Sequence, residues 1–439
     1  MADKTTYFWL RRDLRLDDNH GLYQALKAST SVQCIFIFDT EILDDLVDKK
    51  DARVTFIHDT LSTIHQQLQE LGAGLLIEHG KPIEVWKKIL KSTPIQAIYC
   101  NKDYEPYAQK RDKAVAELAA AQQVDFYGFK DQVIFENLEV CKKDGSPYTV
   151  FTPYSKVWKA RLAEKETETL EHYAIQKLAA NFSQNTALTL PTLQAIGFER
   201  NTTIQFPDTK VTQKLIKHYD ETRDFPALEG TSRLGLHFRF GTISIRQKVK
   251  KAQKLNATFL NELIWRDFYA MILANHPKVV DHSFREKYDY IDWRNNEKEF
   301  ELWKVGKTGY PLVDAGMRQL NESGYMHNRV RMVVASFLCK HLLIDWRWGE
   351  AYFAEKLLDY DLASNNGGWQ WAAGCGTDAA PYFRIFNPSS QLQKFDKQQK
   401  YVKKWVPEFG TDQYTAPIVD HKEARERCLR TYKAGINRQ

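Results

Sequence analysis

The chain has 439 residues, of which 43% are hydrophobic and 27% charged, and this size and composition predict a soluble globular protein of about two or three domains. Its formal net charge of +6 is compatible with a polyanionic partner without requiring one. Its six cysteines show neither a disulfide framework nor the CxxC spacing of a zinc site. The amino terminus has no signal-peptide pattern and the apolar run 332–339 is far shorter than the roughly 20 residues that cross a bilayer, so we expect a cytoplasmic protein with no metal and no membrane partner.

Short runs of apolar, β-branched and aromatic residues alternate with helical patterns over residues 1–130. The strand-like runs lie at 6–10, 32–39, 75–80, 97–100 and 124–129, and the helical patterns at 52–71, 82–91 and 106–121. Strands separated by helices predict an α/β domain built on a doubly wound, Rossmann-like parallel sheet. No GxGxxG follows the first run, so this domain need not hold the main cofactor.

The rest of the chain changes character at about residues 130 and 200. Residues 131–200 are turn-rich and polar, and we expect them to connect two domains. Helical periodicity then dominates residues 201–439 and predicts an all-α domain, with patterns at 208–222, 242–254, 256–275, 311–323, 327–343, 348–358 and 419–435. Eight of the eleven tryptophans lie after residue 259, which places the expected chemistry in this half.

Two segments of the helical half offer groups that suit an anionic ligand. The hydroxyls, arginine and glycines of EGTSRLG (229–235) have the composition of a phosphate site, although a helix cap beside a solvated arginine is the simpler interpretation. In YMHNRVRMVV (325–334) the amide of Asn328 and the cation of Arg331 lie about one helical turn apart. A buried arginine at such a place needs a carboxylate partner.

The segment NELIWRDFY (261–269) sets a carboxylate, a guanidinium and aromatic rings on one helix. Glu262, Arg266 and Tyr269 fall on one face, and Trp265 lies one step aside. Such a face can hold a base and a phosphate. The alternative is a surface Glu–Arg pair at i, i+4 with the tryptophan in the core.

The most unusual segment is DYDLASNNGGWQW (359–371), which continues through AAGCGTDAAPYFRIFNPSSQ. It combines two acids, adjacent amides, two glycines and two tryptophans. Polar groups beside large aromatic rings, on a backbone loosened by glycine, indicate a buried site for a planar polar ligand.

Taken together and in this order, these motifs closely resemble the photolyase/cryptochrome family, and within it the class I cyclobutane pyrimidine dimer photolyases. The resemblance runs the length of the chain and is carried by FWLRRDLRLDDN, WRDFY, GKTGYPLVDAGMRQL, MHNRVRM, NNGGWQWAAGCGTDAAPYFRIFNP and PIVDHKEARERCLRTY. It implies an α/β antenna-type domain over 1–130, a connector over 131–200 and a helical FAD-binding domain over 201–439. The implied activity is light-dependent repair of cyclobutane pyrimidine dimers by electron transfer from excited, reduced FAD.

The resemblance also implies a set of cofactor contacts. Asp361 would accept from the N3–H of the isoalloxazine ring, Arg331 would pair with Asp359, and Asn365 would lie beside flavin N5 and favour reduced flavin. Plant-type cryptochromes have an acid at this last position. The residues expected to bind the pyrophosphate or line the ring are Tyr219, Thr231, Ser232, Arg233, Leu234, Gly235, Arg331, Asp359, Tyr360, Asp361 and Asn365.

On the substrate side, the resemblance implies that a dimer flipped out of UV-damaged DNA would stack on Trp265 and Trp371, with Glu262 bonded to the carbonyls of the 5′ base. Arg223 and Arg329 would hold backbone phosphates. The full expected set is Arg223, Glu262, Trp265, Arg266, Tyr269, Asn328, Arg329, Met332 and Trp371. Trp369, Trp346 and Trp293 match the tryptophan chain that carries an electron from the protein surface to the flavin, with core packing as the alternative for each.

Several alternatives stay open. Phe259 and Tyr325 replace tryptophans of typical members but keep an aromatic ring, so we expect small effects. Tyr107 and Ala108 stand where folate contacts occur in relatives, which leaves folate, a deazaflavin, a second flavin or no antenna as the possible second chromophore. The rival functions are blue-light signalling by a cryptochrome, (6-4) photoproduct repair and DASH-type repair. (6-4) repair enzymes have histidine where Asn328 stands. We expect a monomer.

Overall fold

Five strands near the amino terminus form one parallel sheet in the computed structural model, which describes residues 4–438. The strands are β1 Thr5–Leu10, β2 Val32–Asp39, β3 Leu75–Gly80, β4 Ile95–Asn101 and β5 Asp125–Phe129, in the order β3-β2-β1-β4-β5. Phe8 of β1 lies opposite Cys34 on one side and Tyr99 on the other. The order reverses direction between β1 and β4, as in other doubly wound sheets, and the predicted fold class is confirmed.

The strands are apolar because helices cover the sheet. All eight residues of β2 are buried, whereas the edge strand β5 is largely half-buried or exposed. The helices along the first part of the chain are α1 His20–Ala28, α2 Thr40–Leu43, α3 Ala52–Glu70, α4 Pro82–Ser92, α5 Pro106–Ala120, α6 Phe151–Glu164 and α7 Glu166–Thr169. The sequence patterns missed α1, which begins after Asn19, a residue whose side chain accepts a hydrogen bond from the backbone N–H of Leu22.

The remaining chain is helical, with no strand after β5 among the residues that the structure describes. Its helices are α8 Gln213–Lys217, α9 Tyr219–Thr222, α10 Gly235–Phe240, α11 Ile245–Leu255, α12 Ala257–Asn275, α13 Glu297–Lys304, α14 Pro311–Ser323, α15 Asn328–Ser336, α16 Trp346–Lys356, α17 Leu362–Ala373, α18 Pro388–Phe395, α19 Lys400–Trp405 and α20 His421–Ile436. A π-helical turn, Phe337–Leu342, follows α15. None of the described helices is long and apolar enough to cross a bilayer.

Besides the missed α1, several sequence expectations differ from the structure, including the turn-rich connector, in which α6 forms. The pattern at 208–222 forms two short helices, because the chain departs from helical geometry at His218. The pattern at 327–343 predicts one helix, but the structure has α15 up to Ser336 and then the π-helical turn. The glycine-containing segment 359–371 is mostly the regular helix α17, which begins after Asp361.

The chain folds into two compact units. Unit 1 contains the chain up to Glu136 together with Ala160–Thr209 and Leu234–Lys251, and unit 2 contains Asn137–Lys159, Lys210–Arg233 and the chain from Ala252 onward. Each unit is therefore assembled from segments that are separated in sequence. The division at residues 130 and 200 stays a prediction. The core of unit 2 is rich in large side chains, among them Trp303, Phe337 and Trp346, each at most 1% exposed.

Candidate functional site

Glu262 and Arg223 form an ion pair in unit 2. Glu262 lies on α12, whose first turn is held by the Asn256 side chain, which accepts from the backbone N–H groups of Thr258 and Phe259 at 2.9 and 3.0 Å. Arg223 directly follows α9, donates to the Glu262 carboxylate, and lies 5.3 Å from the Tyr219 ring centroid. Burial raises the pKa of Glu262, and the Arg223 cation opposes that shift.

Trp265 of α12 has one ring face covered by Phe151. The two rings are parallel within 3° and their centroids are 3.7 Å apart. Phe151 is itself held by its backbone N–H, which donates to Asp378 Oδ2 at 3.2 Å. Tyr269 lies 5.3 Å from Trp265, ring centroid to ring centroid. Stacking on Trp265 is therefore restricted to its other face.

Helix α15 carries the predicted cations. Its N-cap is His327, whose Nδ1 faces the backbone N–H of Arg329 at 3.2 Å, and burial lowers the pKa of His327 to about 4. The Arg329 guanidinium pairs with Asp224 at 2.8 Å and lies 4.4 Å from the Phe395 ring centroid. Met332 Sδ is 3.7 Å from Arg329 Nη1, and Asn328 is the first residue of the helix.

Arg331, on the same helix, connects it to the segment before α17. Its guanidinium donates to Asp359 at 3.0 and 3.1 Å and to the carbonyl oxygen of Met326 at 2.7 Å. The structure thus contains the pair that the resemblance implies. Tyr360 follows Asp359 and packs against the unit 2 core.

Helix α17 presents polar groups beside open space. Asp361 caps the helix by accepting from the backbone N–H and the hydroxyl of Ser364 at 3.0 and 2.9 Å. Asn365 and Gly368 follow at i+4 and i+7, on the same face. A Cβ added to Gly368 would meet no atom within 4 Å, so this face leaves room for a ligand.

The Asn365 amide has a fixed orientation. Its Nδ2 donates to the backbone carbonyl and to the Oε1 of Glu350, at 3.2 and 2.9 Å, while its carbonyl oxygen has no partner among residues 4–438. An amide carbonyl held in this way can accept a hydrogen bond from a ligand N–H. Sequence reasoning missed Glu350, since nothing in the pattern around it points to Asn365.

Two glycines let neighbouring helices approach α17. A Cβ at Gly367 would lie 2.3 Å from the Tyr269 ring of α12, and a Cβ at Gly349 of α16 would lie 2.1 Å from the Trp369 ring. The unusual composition of the 359–371 segment is therefore explained partly by packing.

The segment 229–235 begins with residues that bond to one another and to Tyr325. Thr231 Oγ1 and the Tyr325 hydroxyl share a hydrogen bond of 3.0 Å. Arg233 has a left-handed backbone, with φ of 51°, and pairs with Glu229 at 2.7 Å. Ser232 lies between Thr231 and Arg233 in the chain. In unit 1, Leu234 is buried and Gly235 begins α10.

The tryptophans of the expected relay differ in burial. Trp369 and Trp346 belong to the unit 2 core at 2% and 1% exposure, and Trp293 packs against it as a partly buried residue. Trp293 has an edge contact with Tyr432 at 5.7 Å. Trp371 is half-buried and lies 6.3 Å from Phe386, again between ring centroids. The relay role itself stays a prediction.

These groups fit a flavin. The Asn365 carbonyl, the Asp361 carboxylate and the space beside Gly368 share one helix face, and the charged pair Arg331–Asp359 directly precedes it. Carboxylate and carbonyl oxygens match the N–H groups of an isoalloxazine ring. No group of three or more histidine, cysteine or acidic residues suited to a metal occurs within residues 4–438.

Comparison with known proteins decides the family. Residues 6–172 match the profile of the family described as DNA photolyase, and residues 259–411 match the FAD binding domain of DNA photolyase. A deoxyribodipyrimidine photo-lyase of Halobacterium salinarum is 36% identical over 97% of this chain and 98% of its own length. The chain belongs to the DNA photolyase family.

Solved structures of the family have the same fold as this photolyase-family protein. A bacterial class III photolyase from Agrobacterium tumefaciens superposes with a TM-score of 0.85 at 32% identity, covering 99% of this chain and 98% of its own. An archaeal photolyase from Sulfolobus tokodaii, which holds two FAD molecules, has a TM-score of 0.82 at 33% identity over 98% and 100% of the two chains. A Synechocystis cryptochrome has a TM-score of 0.83 at 25% identity over 98% and 99%.

Tyr107 and Ala108, which stand where folate contacts occur in relatives, lie in unit 1. Here the Tyr107 hydroxyl donates to Asp39 Oδ2 at 2.6 Å and lies 3.3 Å from Glu41, while Ala108 is buried. The Tyr107 hydroxyl is thus committed to these two acids. The second chromophore stays a prediction.

Proposed function

We propose that this protein uses light to repair cyclobutane pyrimidine dimers in DNA, with reduced FAD held in unit 2. The observation that carries the proposal is Asn365, an amide rather than an acid, oriented by Glu350 so that its carbonyl oxygen is left to accept from flavin N5–H. This arrangement favours reduced, protonated flavin. An acid at this position is expected of a plant-type photoreceptor.

Bound FAD, once reduced and excited by light, supplies the electron that opens the dimer. Asp361 and Asn365 would hold the polar edge of its ring, and the Arg331–Asp359 pair would fix the chain beside it. Thr231, Ser232, Arg233 and Tyr219 of unit 2 would bind the pyrophosphate.

The protein would bind the dimer outside the DNA stack, because a base pair buried in the duplex cannot reach this site. Trp371, and the face of Trp265 that Phe151 does not cover, would stack on the dimer and offset part of the unstacking cost at ~1–3 kcal/mol per base. Burial raises the pKa of Glu262, and we propose that its carboxyl hydrogen-bonds the carbonyls of the 5′ base. That contact would strengthen as negative charge develops on the carbonyl oxygen.

Both arginines expected to hold DNA phosphates pair with an acid. Arg223 pairs with Glu262, and Arg329 with Asp224. A phosphate that engages Arg223 would compete with Glu262, and the loss of that pairing would raise the pKa of Glu262 further. DNA phosphate binding and the chemical role of Glu262 are therefore proposed to be linked.

Photorepair tests the proposal directly. The reduced holoprotein is mixed with UV-irradiated oligo-dT, illuminated with near-ultraviolet light, and the recovery of thymine absorbance is followed against a dark control. Light-dependent recovery supports dimer repair. Absence of recovery with reduced flavin bound would overturn the proposal. Parallel assays use an oligonucleotide that carries a single (6-4) photoproduct, and single- and double-stranded dimer substrates. They would separate the rival repair activities from signalling.

A further inference from the structure

Tyr325 joins two parts of the proposed flavin site. It lies immediately before the MHNRVRM motif, and its hydroxyl shares a hydrogen bond of 3.0 Å with Thr231 Oγ1. The guanidinium of Arg233 lies 5.1 Å from its ring centroid and that of Arg331 lies 5.9 Å from it. One side chain thus contacts the proposed phosphate segment and the arginine that pairs with Asp359.

The backbone of Tyr325 is fixed by Ser323, and its ring lies against the guanidinium groups of Arg233 and Arg331. Its backbone N–H donates to Ser323 Oγ at 3.3 Å, and Ser323 Oγ lies 3.2 Å from its carbonyl oxygen. The aromatic face offers each arginine a cation–π contact. Burial raises the pKa of Tyr325, which keeps its hydroxyl protonated and able to donate.

The hydrogen bond with Thr231 has a chemical consequence. A threonine hydroxyl has one proton and can also accept. If the Tyr325 hydroxyl donates to Thr231 Oγ1, the Thr231 proton is directed elsewhere, and an anionic oxygen is its strongest acceptor. Without the tyrosine hydroxyl, the Thr231 side chain would lose this constraint.

We propose that Tyr325 is a positioning residue that orients the Thr231 hydroxyl toward the FAD pyrophosphate and braces the neighbouring arginines. The proposal rests on the proposed flavin function of unit 2. It also changes the sequence expectation that replacement of a tryptophan by Tyr325 has little effect, because the acting group is a hydroxyl that tryptophan lacks.

Ligand affinities of the apoprotein test this role. Tyr325→Phe removes the hydroxyl and keeps the ring, so we expect the Kd for FAD to rise about 3- to 10-fold, the range of one hydrogen bond. The Kd for riboflavin, which has no phosphate, should not change. Tyr352→Phe is the matched control, since it removes another tyrosine hydroxyl of unit 2, bonded to Asn321 at 2.6 Å, and should leave both affinities unchanged.

A double-mutant cycle makes the test specific for Thr231. Thr231→Ala should weaken FAD binding, and Tyr325→Phe added to it should cause no further loss, because both changes remove the same contact. An unchanged FAD affinity in Tyr325→Phe, an equal loss for riboflavin, or additive effects would each overturn the proposal. If wild-type protein binds FAD and repairs dimers while Tyr325→Phe binds FAD normally, only the Tyr325 role fails; failure of the wild type to bind FAD would overturn both.

Discussion

Single residues of unit 2 owe their chemistry to partners that the sequence does not place beside them. Glu262 is half-buried and pairs with Arg223, and Asn365 is oriented by Glu350. A carboxyl and an amide are common side chains, and these neighbours decide what each can donate or accept. The site is therefore best tested by changing one member of a pair.

Glu262→Ala tests the proposed contact to the dimer. We expect the number of dimers repaired per absorbed photon to fall about 3- to 10-fold, since one hydrogen bond to the developing charge is lost. Affinity for damaged DNA should stay constant or rise, because Arg223 is released for phosphate. The measurements are repair yield at known photon flux and lesion Kd at fixed salt, and an unaltered yield would remove the proposed role of Glu262.

Trp346→Phe tests the electron relay. Because indole is among the side chains most readily oxidised, we expect photoreduction of oxidised flavin to be lost while chemically reduced enzyme still repairs dimers. Trp303→Phe is a control with a similarly buried tryptophan, 0% exposed against 1% for Trp346. Equal loss of photoreduction in both variants, or loss of repair as well, would point to packing damage.

At the scale of elements, α17 is the helix on which the proposed site depends. Its two adjacent glycines face different surroundings: a Cβ on Gly367 meets the Tyr269 ring at 2.3 Å, whereas a Cβ on Gly368 meets nothing within 4 Å. The first glycine serves helix packing. The second leaves open space on the proposed flavin face.

Gly367→Ala and Gly368→Ala should therefore have opposite effects. Gly367→Ala should lower the free energy of unfolding of the apoprotein by about 1–3 kcal/mol through overpacking. Gly368→Ala should leave it unchanged or raise it by up to about 1 kcal/mol through helix propensity, yet weaken FAD binding by filling space. Urea unfolding and FAD titration of both variants check this, and equal behaviour of the pair would contradict it.

The cap of α15 should make stability depend on pH. His327 has a pKa of about 4 when folded against an ordinary value of 6.5, so between these values the unfolded chain binds the extra proton. The contribution of His327 is complete above about pH 6.5 and is lost as the pH falls, by up to about 3 kcal/mol. His327→Asn, which keeps a capping side chain, should lose less stability than the wild type between pH 7 and pH 4; parallel curves would show that His327 does not titrate in this way.

At the scale of the whole molecule, each unit is assembled from segments distant in the chain. In unit 1 the Arg246 guanidinium pairs with Asp18 at 3.0 Å and with Asp131 at 2.8 Å, with side-chain exposures of 6%, 1% and 1%. Arg15 adds a second cation to Asp131 at 2.6 Å. This buried network joins the segment around residue 246 to the sheet domain.

Arg246→Met should lower the free energy of unfolding by about 3–5 kcal/mol, because it leaves two buried carboxylates without their shared cation. The control is Arg200→Met, which breaks an exposed pair with Asp59, with side chains 47% and 45% exposed, and should cost less than about 1 kcal/mol. Denaturant unfolding measures both, and similar losses would mean that the network is not the cause.

Local pattern predicted the strands and the long helices well. The five strand-like runs became β1 to β5, and the pattern at 311–323 is α14 without change of bounds. Periodicity is reliable here because it records which side of an element meets the core. It failed at 359–371, where glycines and amides suggested a loosened backbone but the Asp361 cap and close packing produced α17.

Residue order alone was therefore enough for the parallel sheet, the helical second half and the family, since each is encoded in contiguous motifs and local periods. The partners within the site were decided only by tertiary structure: Phe151 against Trp265, Glu350 against Asn365 and Tyr325 against Thr231. These contacts join residues that are separated in the chain. The hydrophobic periodicity of one segment carries no information about which side chain of another segment will contact it. The geometry that sets hydrogen bonds, ring faces and pKa values exists only once the helices have packed.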